Sequence, residues 1–328
     1  MSIEVIKPGL LTTIIGSERK GFRHLGIGVA GAMDHFAMIV SNYLVGNGDS
    51  SATLEINFPA PELLFHENQL VAVAGKGFRV LLNEEIFSLW KPILVKKDAV
   101  MRFEKVEVGS RAYLAVRGGW KAQEWLGSFT THLGSSAGGY LGRALRKEDI
   151  LEANDQQPEI NGNRALTWGI SKNELDNVYL PANEIRIVQS VETNLLSVES
   201  KEKLLTSEFK INNQSNRMGY RLEGEKLTLN KQLELVSSPV DFGTIQLLPD
   251  GNLIILMADH QTTGGYPRIG SVIKSDLPKL AQMNANDKIR LRMISLNEAE
   301  SEMLKRNKLL TELQKSCLIQ YNSHVKHG

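Results

Sequence analysis

A chain of 328 residues is longer than the roughly 250 residues at which a single hydrophobic core stops growing, so two domains are expected. Hydrophobic residues make up 42% and charged residues 23%, a globular balance that excludes a disordered or membrane-embedded chain. The 38 Lys and Arg nearly cancel the 37 Asp and Glu, leaving no long-range positive field to gather a polyanion, and nucleic acid is not an expected partner.

The opening residues, Met1 to Lys7, lack a charged, then apolar, then small-residue cleavage pattern, and no window approaches the ~18 apolar residues that span a bilayer. A cytoplasmic protein with no membrane partner is expected. Short β-prone runs bounded by Gly, Pro, Asn and Asp follow at 10–15, 70–74, 79–82, 93–95, 112–116, 185–188, 233–236, 254–257 and 288–294. Helical spacing of apolar residues appears only at 33–45, 275–282 and 297–319. Runs this short, with so little helix between them, predict a mainly β protein with minor α, built as barrels or sandwiches rather than as a doubly wound sheet.

Between Asn154 and Asn183 the pattern degrades into polar, Pro-containing sequence, which places a boundary near residue 180. The expected domains are 1–180 and 181–328, the second carrying a C-terminal helix, with exchange of strands between them left open. Ser135-Ser136-Ala137-Gly138-Gly139-Tyr140 in the first echoes Thr262-Thr263-Gly264-Gly265-Tyr266 in the second, the kind of match a duplication leaves. In the tail, Leu304, Leu309, Leu313 and Leu318 among Glu and Lys predict a one-faced helix, packed on its own domain or docking a partner. The single cysteine, Cys317, can form neither an internal disulfide nor a thiolate cage. Seven histidines without i, i+4 pairing predict no metal site.

Two familiar patterns lack their physical context. Gly26-Ile27-Gly28-Val29-Ala30-Gly31 fits a dinucleotide fingerprint, but ten mostly polar or charged residues separate it from the nearest strand and no βα alternation follows. It reads as a glycine-rich turn leading into a short helix. Gly134-Ser135-Ser136-Ala137-Gly138 fits a nucleophile elbow, but residues 129–132 supply no strong strand before it. A hydroxyl- and glycine-rich binding loop is the reading that remains.

The densest polar segment is Asp259-His260-Gln261-Thr262-Thr263-Gly264-Gly265-Tyr266-Pro267-Arg268, directly after an apolar run. A buried strand ending in an acid, a histidine, an amide, two hydroxyls and two glycines gathers donors and acceptors where backbone can also approach a ligand. The same residues would serve a hydrogen-bonded turn at a barrel rim. Arg217-Met218-Gly219-Tyr220-Arg221-Leu222 sets two guanidiniums four residues apart; in a loop they would clamp a carboxylate or phosphate in bidentate fashion.

Several segments, in order over about residues 5–300, resemble the biotin-dependent carboxyltransferase family, also called allophanate hydrolase subunit 2, and within it the 5-oxoprolinase C subunits. They include Gly31-Ala32-Met33-Asp34, Leu54-Glu55, Tyr113-Leu114-Ala115-Val116-Arg117-Gly118-Gly119, Gly138-Gly139-Tyr140-Leu141-Gly142-Arg143, Asn216 through Leu222, Gly243-Thr244-Ile245-Gln246 and Ala258 through Pro267. The family's Gln-Asp-x-Gly-Arg near the start reads Gly16-Ser17-Glu18-Arg19 after Ile15, retaining the arginine alone.

The resemblance implies two cyclophilin-like β-barrel domains and an ATP-dependent complex with 5-oxoprolinase B and A subunits that opens 5-oxo-L-proline to L-glutamate. It equally admits a carboxyltransferase acting on urea or a similar amide with biotin on a separate carrier. A third reading is a non-catalytic KipA-like regulator that binds a KipI-like kinase inhibitor. For the enzyme reading, the resemblance implies a catalytic set of Asp259, His260, Gln261 and Arg217. The implied substrate contacts are Met33, Asp34, Glu55, Ser136, Arg143, Met218, Arg221, Gln246, Thr262, Thr263, Gly264, Gly265 and Tyr266.

Overall fold

The computed structural model describes residues 2–106, 108–155, 160–231 and 235–323. These form two compact units, one made of Met1–Arg19, Asp34–Lys172 and Lys308–Gly328, the other of Lys20–Met33 and Asn173–Asn307.

The first unit carries strands β1 (Ser2–Lys7), β2 (Thr12–Ile15), β3 (Thr53–Asn57), β4 (Glu62–Phe65), β5 (Gln69–Lys76) and β6 (Phe78–Leu82). It continues with β7 (Glu85–Phe87), β8 (Pro92–Val95), β9 (Val100–Lys105), β10 (Arg111–Val116), β11 (Ile150–Glu152) and β12 (Arg164–Ala165). Helix α1 (His35–Leu44) lies between β2 and β3 in the chain. Two six-stranded sheets result, ordered β11-β1-β4-β9-β6-β7 and β12-β8-β5-β10-β3-β2. The alternating burial of β1 is that of a sheet with one face in the core. By contrast β5 and β10 are buried on both faces, because Val71, Val73, Ala112 and Leu114 enter the core while Ala72, Ala74, Tyr113 and Ala115 point the other way, beneath α1.

The second unit carries α2 (Lys172–Tyr179), β13 (Glu184–Gln189), α3 (Val198–Thr206), β14 (Glu208–Ile211), β15 (Gly219–Glu223), β16 (Ser238–Pro239), β17 (Thr244–Leu247) and β18 (Leu253–Leu256). After these come β19 (Thr263–Gly264), β20 (Arg268–Val272), α4 (Leu277–Ala281), β21 (Lys288–Met293) and the start of α5 (Leu296–Tyr321), whose residues from Lys308 on belong to the first unit. Seven strands close into a barrel in the order β13-β20-β17-β18-β15-β14-β21, and the closing β21–β13 pair is parallel while its other ladders are antiparallel. Ile185, Ile187, Phe209, Tyr220, Leu222, Ile245, Ile255 and Ile289 fill its core. The protein is thus mainly β, as its short runs imply.

Two sequence expectations change, and a third is only partly testable. The run at 233–236 falls partly outside the described residues. Arg217 and Arg221 do not share a loop: Gly219 to Glu223 is β15, with Tyr220 and Leu222 buried and Arg221 and Glu223 exposed. The tail is helical, but its inward face is Leu313, Cys317 and Tyr321, while Leu304 and Leu318 are exposed. Steps of four stay on one face of a helix with 3.6 residues per turn, whereas the five-residue steps from Leu304 to Leu309 and from Leu313 to Leu318 swing off it.

Candidate functional site

Period-two alternation decides what the barrel shows outside. With Tyr220, Leu222, Ile245, Leu247, Leu253 and Ile255 turned inward, the intervening Gly219, Arg221, Gln246, Ile254 and Leu256 face out from three neighbouring strands, β15, β18 and β17. Together with Gln214, Asn216, Met218, the turn Leu248-Pro249-Asp250, Gln261 and Tyr266, they line a cavity of about 470 Å³. That volume lies in the range of small-molecule sites. Its floor is apolar, through Ile254 and Leu256, and its polar side chains are four amides, the Arg221 guanidinium, the Asp250 carboxylate and the Tyr266 hydroxyl.

Gln246 is almost fully buried, and its Nε2 donates a long hydrogen bond to the Tyr266 carbonyl at 3.5 Å. Gly264 permits this placement: a Cβ there would lie 2.5 Å from Gln246 Nε2. Met218 and Tyr266 are exposed at the cavity.

Arg217 is occupied elsewhere. Its Nε and Nη2 donate to the two oxygens of Asp259 at 2.7 and 2.9 Å, and Nη2 also reaches the Gly31 carbonyl at 2.7 Å. The Asp259 N–H in turn donates to the Arg217 carbonyl at 2.8 Å. This two-way pairing fixes the end of β18 against the entry to β15, so Arg217 and Asp259 act on the cavity through Met218 and Gln261.

His260 is buried, and its Nδ1 donates to the Gln261 carbonyl at 2.6 Å. Burial, with Arg23 adding to it, pushes its pKa below the ordinary histidine value despite the opposing pull of the Gln261 hydrogen bond, Asp241 and Asp259. At neutral pH the ring is uncharged, with Nε2 as an acceptor. The carbonyl of Thr262 accepts from Val240 N–H at 3.2 Å, and Thr263 and Gly264 pair with Pro239 and Ser238. Thr262, Thr263 and Gly265 therefore build the hairpin wall rather than line the cavity.

The glycine-rich stretch opens with a 3-10 turn at Arg23–Leu25 and runs on without helix or strand; Gly28 packs against the His260 carbonyl, where a Cβ would stand 3.2 Å away. Met33 is fully buried in the barrel's hydrophobic core.

The remaining sequence candidates belong to the first unit. Asp34 caps α1 by accepting from Ala37 N–H at 2.9 Å. Its own N–H donates to Tyr113 Oη at 2.8 Å, and that hydroxyl donates to Glu55 Oε2 at 2.6 Å. Burial first, and then the Glu55 and Asp34 charges, hold the Tyr113 hydroxyl well above its ordinary pKa, so it stays a donor. Arg143 is bound bidentately by Asp149 at 2.7 Å through each nitrogen. Ser136 sits exposed with φ +49° after the 3-10 turn Leu133–Ser135, without the helix that an elbow serine needs behind it. Among the described residues no group of three or more His, Cys, Asp or Glu could hold a metal, and no helix is long and apolar enough to cross a membrane.

Sequence reasoning missed Gln214, Asn216, Asp250, Ile254 and Leu256 as lining residues. One signal was present: Leu253-Ile254-Ile255-Leu256 has no polar residue, which implies cover on both faces of the strand.

A closed barrel whose outer face carries a cavity of carboxamides, one guanidinium and one carboxylate defines a β protein with a candidate small-molecule site. Residues 25–293 match the family model described as carboxyltransferase domain, subdomain A and B, and the chain belongs to that family. It is 33% identical to the C subunit of 5-oxoprolinase from Haemophilus influenzae over 300 residues, covering 90% of this chain and 93% of that protein. The corresponding 5-oxoprolinase C subunit of Escherichia coli is likewise 33% identical over 301 residues, with the same coverage. Among solved structures, the Kluyveromyces lactis urea amidolyase superposes with a TM-score of 0.87 at 27% identity, over 95% of this chain and 20% of that one. The urea carboxylase of Kluyveromyces lactis gives 0.86 at 27% identity, over 97% of this chain and 29% of that one.

Proposed function

We propose that this chain is the C subunit of a cytoplasmic, ATP-dependent 5-oxoprolinase complex that opens 5-oxo-L-proline to L-glutamate together with B and A subunits. The observation that carries this reading is the 33% identity to C subunits of two bacteria over nearly their whole length. Ring opening adds water across the lactam C–N bond, placing hydroxyl on the carbonyl carbon and hydrogen on nitrogen, and it requires a polarised amide. The cavity's carboxamides suit that task, since each offers a donor and an acceptor to one planar amide. In this reading Gln246, Gln261, Arg221, Met218 and Tyr266 contact substrate, while Arg217, Asp259 and His260 hold the wall that positions them. The buried Asp34, Tyr113 and Glu55 chain and the Arg143–Asp149 pair shape the first unit. ATP acts at the level of the complex.

The test is reconstitution. With B and A subunits and ATP, the wild-type chain is expected to release glutamate from 5-oxoproline, and Gln246→Ala to slow release by about 10-fold or more. Omitting this chain is expected to abolish release. Glutamate release at the full rate without it would remove the assignment.

A second reading, a carboxyltransferase acting on urea or a similar small amide with biotin on a separate carrier, draws on the family description and on the 0.87 TM-score with urea amidolyase.

A further inference from the structure

The arginines of the barrel unit divide by what they hold. Arg23, Arg186, Arg217, Arg268, Arg290 and Arg292 each bind a carboxylate, and Arg306 donates to the Ser275 carbonyl at 3.0 Å. Arg221 differs: its backbone N–H donates to Ser215 Oγ at 3.0 Å, but among the described residues its guanidinium has neither an ion pair nor a hydrogen bond. It lines the cavity across Ile254 from the buried carboxamide of Gln246, over a floor of Ile254 and Leu256, with the Asp250 carboxylate in the same lining. An apolar floor lowers the local dielectric and strengthens any charge contact made above it. A guanidinium offers a planar fork that fits a carboxylate, and a carboxamide fits the C=O and N–H of a lactam.

We infer that the cavity selects small amides that also carry a carboxylate, Arg221 taking the carboxylate and Gln246 the amide, and that it discriminates against uncharged amides such as urea. The inference rests on the 5-oxoprolinase reading and adds the group that sets its specificity. Strand alternation explains the arrangement, since the outward position on β15 that carries Arg221 pairs with Ile254 and Gln246 pairs with the same residue from the other side.

The experiment is calorimetric titration of the assembled complex, without ATP, using 5-oxo-L-proline, 2-pyrrolidinone (the same lactam without a carboxylate) and inorganic phosphate. Wild type is compared with Arg221→Gln and Arg221→Lys. Wild type is expected to bind 5-oxoproline about 10- to 100-fold more tightly than 2-pyrrolidinone, the range of a charge-assisted contact. Arg221→Gln is expected to close that gap by weakening 5-oxoproline alone, and Arg221→Lys to keep part of it. Because the Arg221 side chain is exposed and bonds nothing among the described residues, the variants are expected to melt with wild type. Equal wild-type affinity for the two lactams, a gap unchanged in Arg221→Gln, tighter binding of phosphate than of 5-oxoproline, or no binding of either lactam would each overturn the inference. Selectivity is read here without turnover. A complex that prefers 5-oxoproline yet never releases glutamate refutes the functional reading alone, whereas one that releases glutamate without the preference refutes this inference alone.

Discussion

His260 shows how a residue type that suggests chemistry can be placed for architecture. It is buried and donates to the Gln261 carbonyl at 2.6 Å. Burial, reinforced by Arg23, lowers its pKa below the ordinary value, so the unfolded chain binds the proton more readily than the folded one. Stability contributed by the neutral ring is complete above the unfolded value near 6.5 and declines as pH falls from there toward the folded pKa, by at most about 1.4 kcal/mol per pH unit. His260→Asn is therefore expected to cost more at pH 7.5 than at pH 5.5, as measured by urea denaturation at both. A cost that grows on acidification would mean that the charged ring is the stabilised form. The sequence placed His260 correctly at a polar strand end, since Asp259 and Gln261 flank it. It could not say that Asp259 turns instead to Arg217, because that bond is made across a strand pairing 42 residues apart.

At the scale of elements, an ionic cluster ties β13, α4 and α5 together in the barrel unit. Arg186 on β13 binds both oxygens of Asp276 at 2.7 and 3.0 Å, Lys279 on α4 lies 3.1 Å from the same carboxylate, and Glu302 on α5 reaches Arg186 at 2.8 Å. Asp276 is fully buried. Burial alone would raise its pKa, but the Arg186 hydrogen bonds and the Lys279 charge hold it below the ordinary carboxylate value. Asp276→Ala leaves two cations in a strand and helix junction without their shared anion, and is expected to destabilise the unit by about 3–5 kcal/mol in chemical denaturation. A loss under about 1 kcal/mol would show that water or a neighbouring carboxylate replaces it. Elements were legible where apolar residues ran nearly unbroken, as in β5 and β10, or alternated cleanly with charged ones, as in β21. They were illegible where alternation was masked by a motif: Arg217 to Leu222 reads as a polar clamp until Tyr220 and Leu222 are seen to point inward, which makes Arg221 an outward strand residue. The two shortest strands of the barrel unit, β16 and β19, carry too few residues to show any period.

For the whole molecule, the two functional readings differ in where the amide's new bond partner comes from. Ring opening takes water and needs no carbon donor, while carboxyl transfer takes carbon dioxide from carboxybiotin and so depends on bicarbonate. The family description alone does not separate them, since the 5-oxoprolinase C subunits and the urea carboxylases share this architecture over at least 90% of the chain. Family membership was legible because the matching segments are collinear along the chain, but the cavity was not, because it is assembled from β15, β17, β18 and the loops around them, whose residues are scattered between 214 and 266. The neutral charge balance of 38 against 37 also leaves substrate choice to local groups such as Arg221 rather than to a molecular field. Under the proposed function, glutamate release by the reconstituted complex is expected to be unaffected by avidin or by removal of bicarbonate, and urea is expected not to stimulate ATP hydrolysis. Avidin-sensitive, bicarbonate-dependent turnover would transfer the chain to the carboxyltransferase reading. In that case an uncharged amide would have to occupy a cavity whose guanidinium, Arg221, makes no ion pair among the described residues.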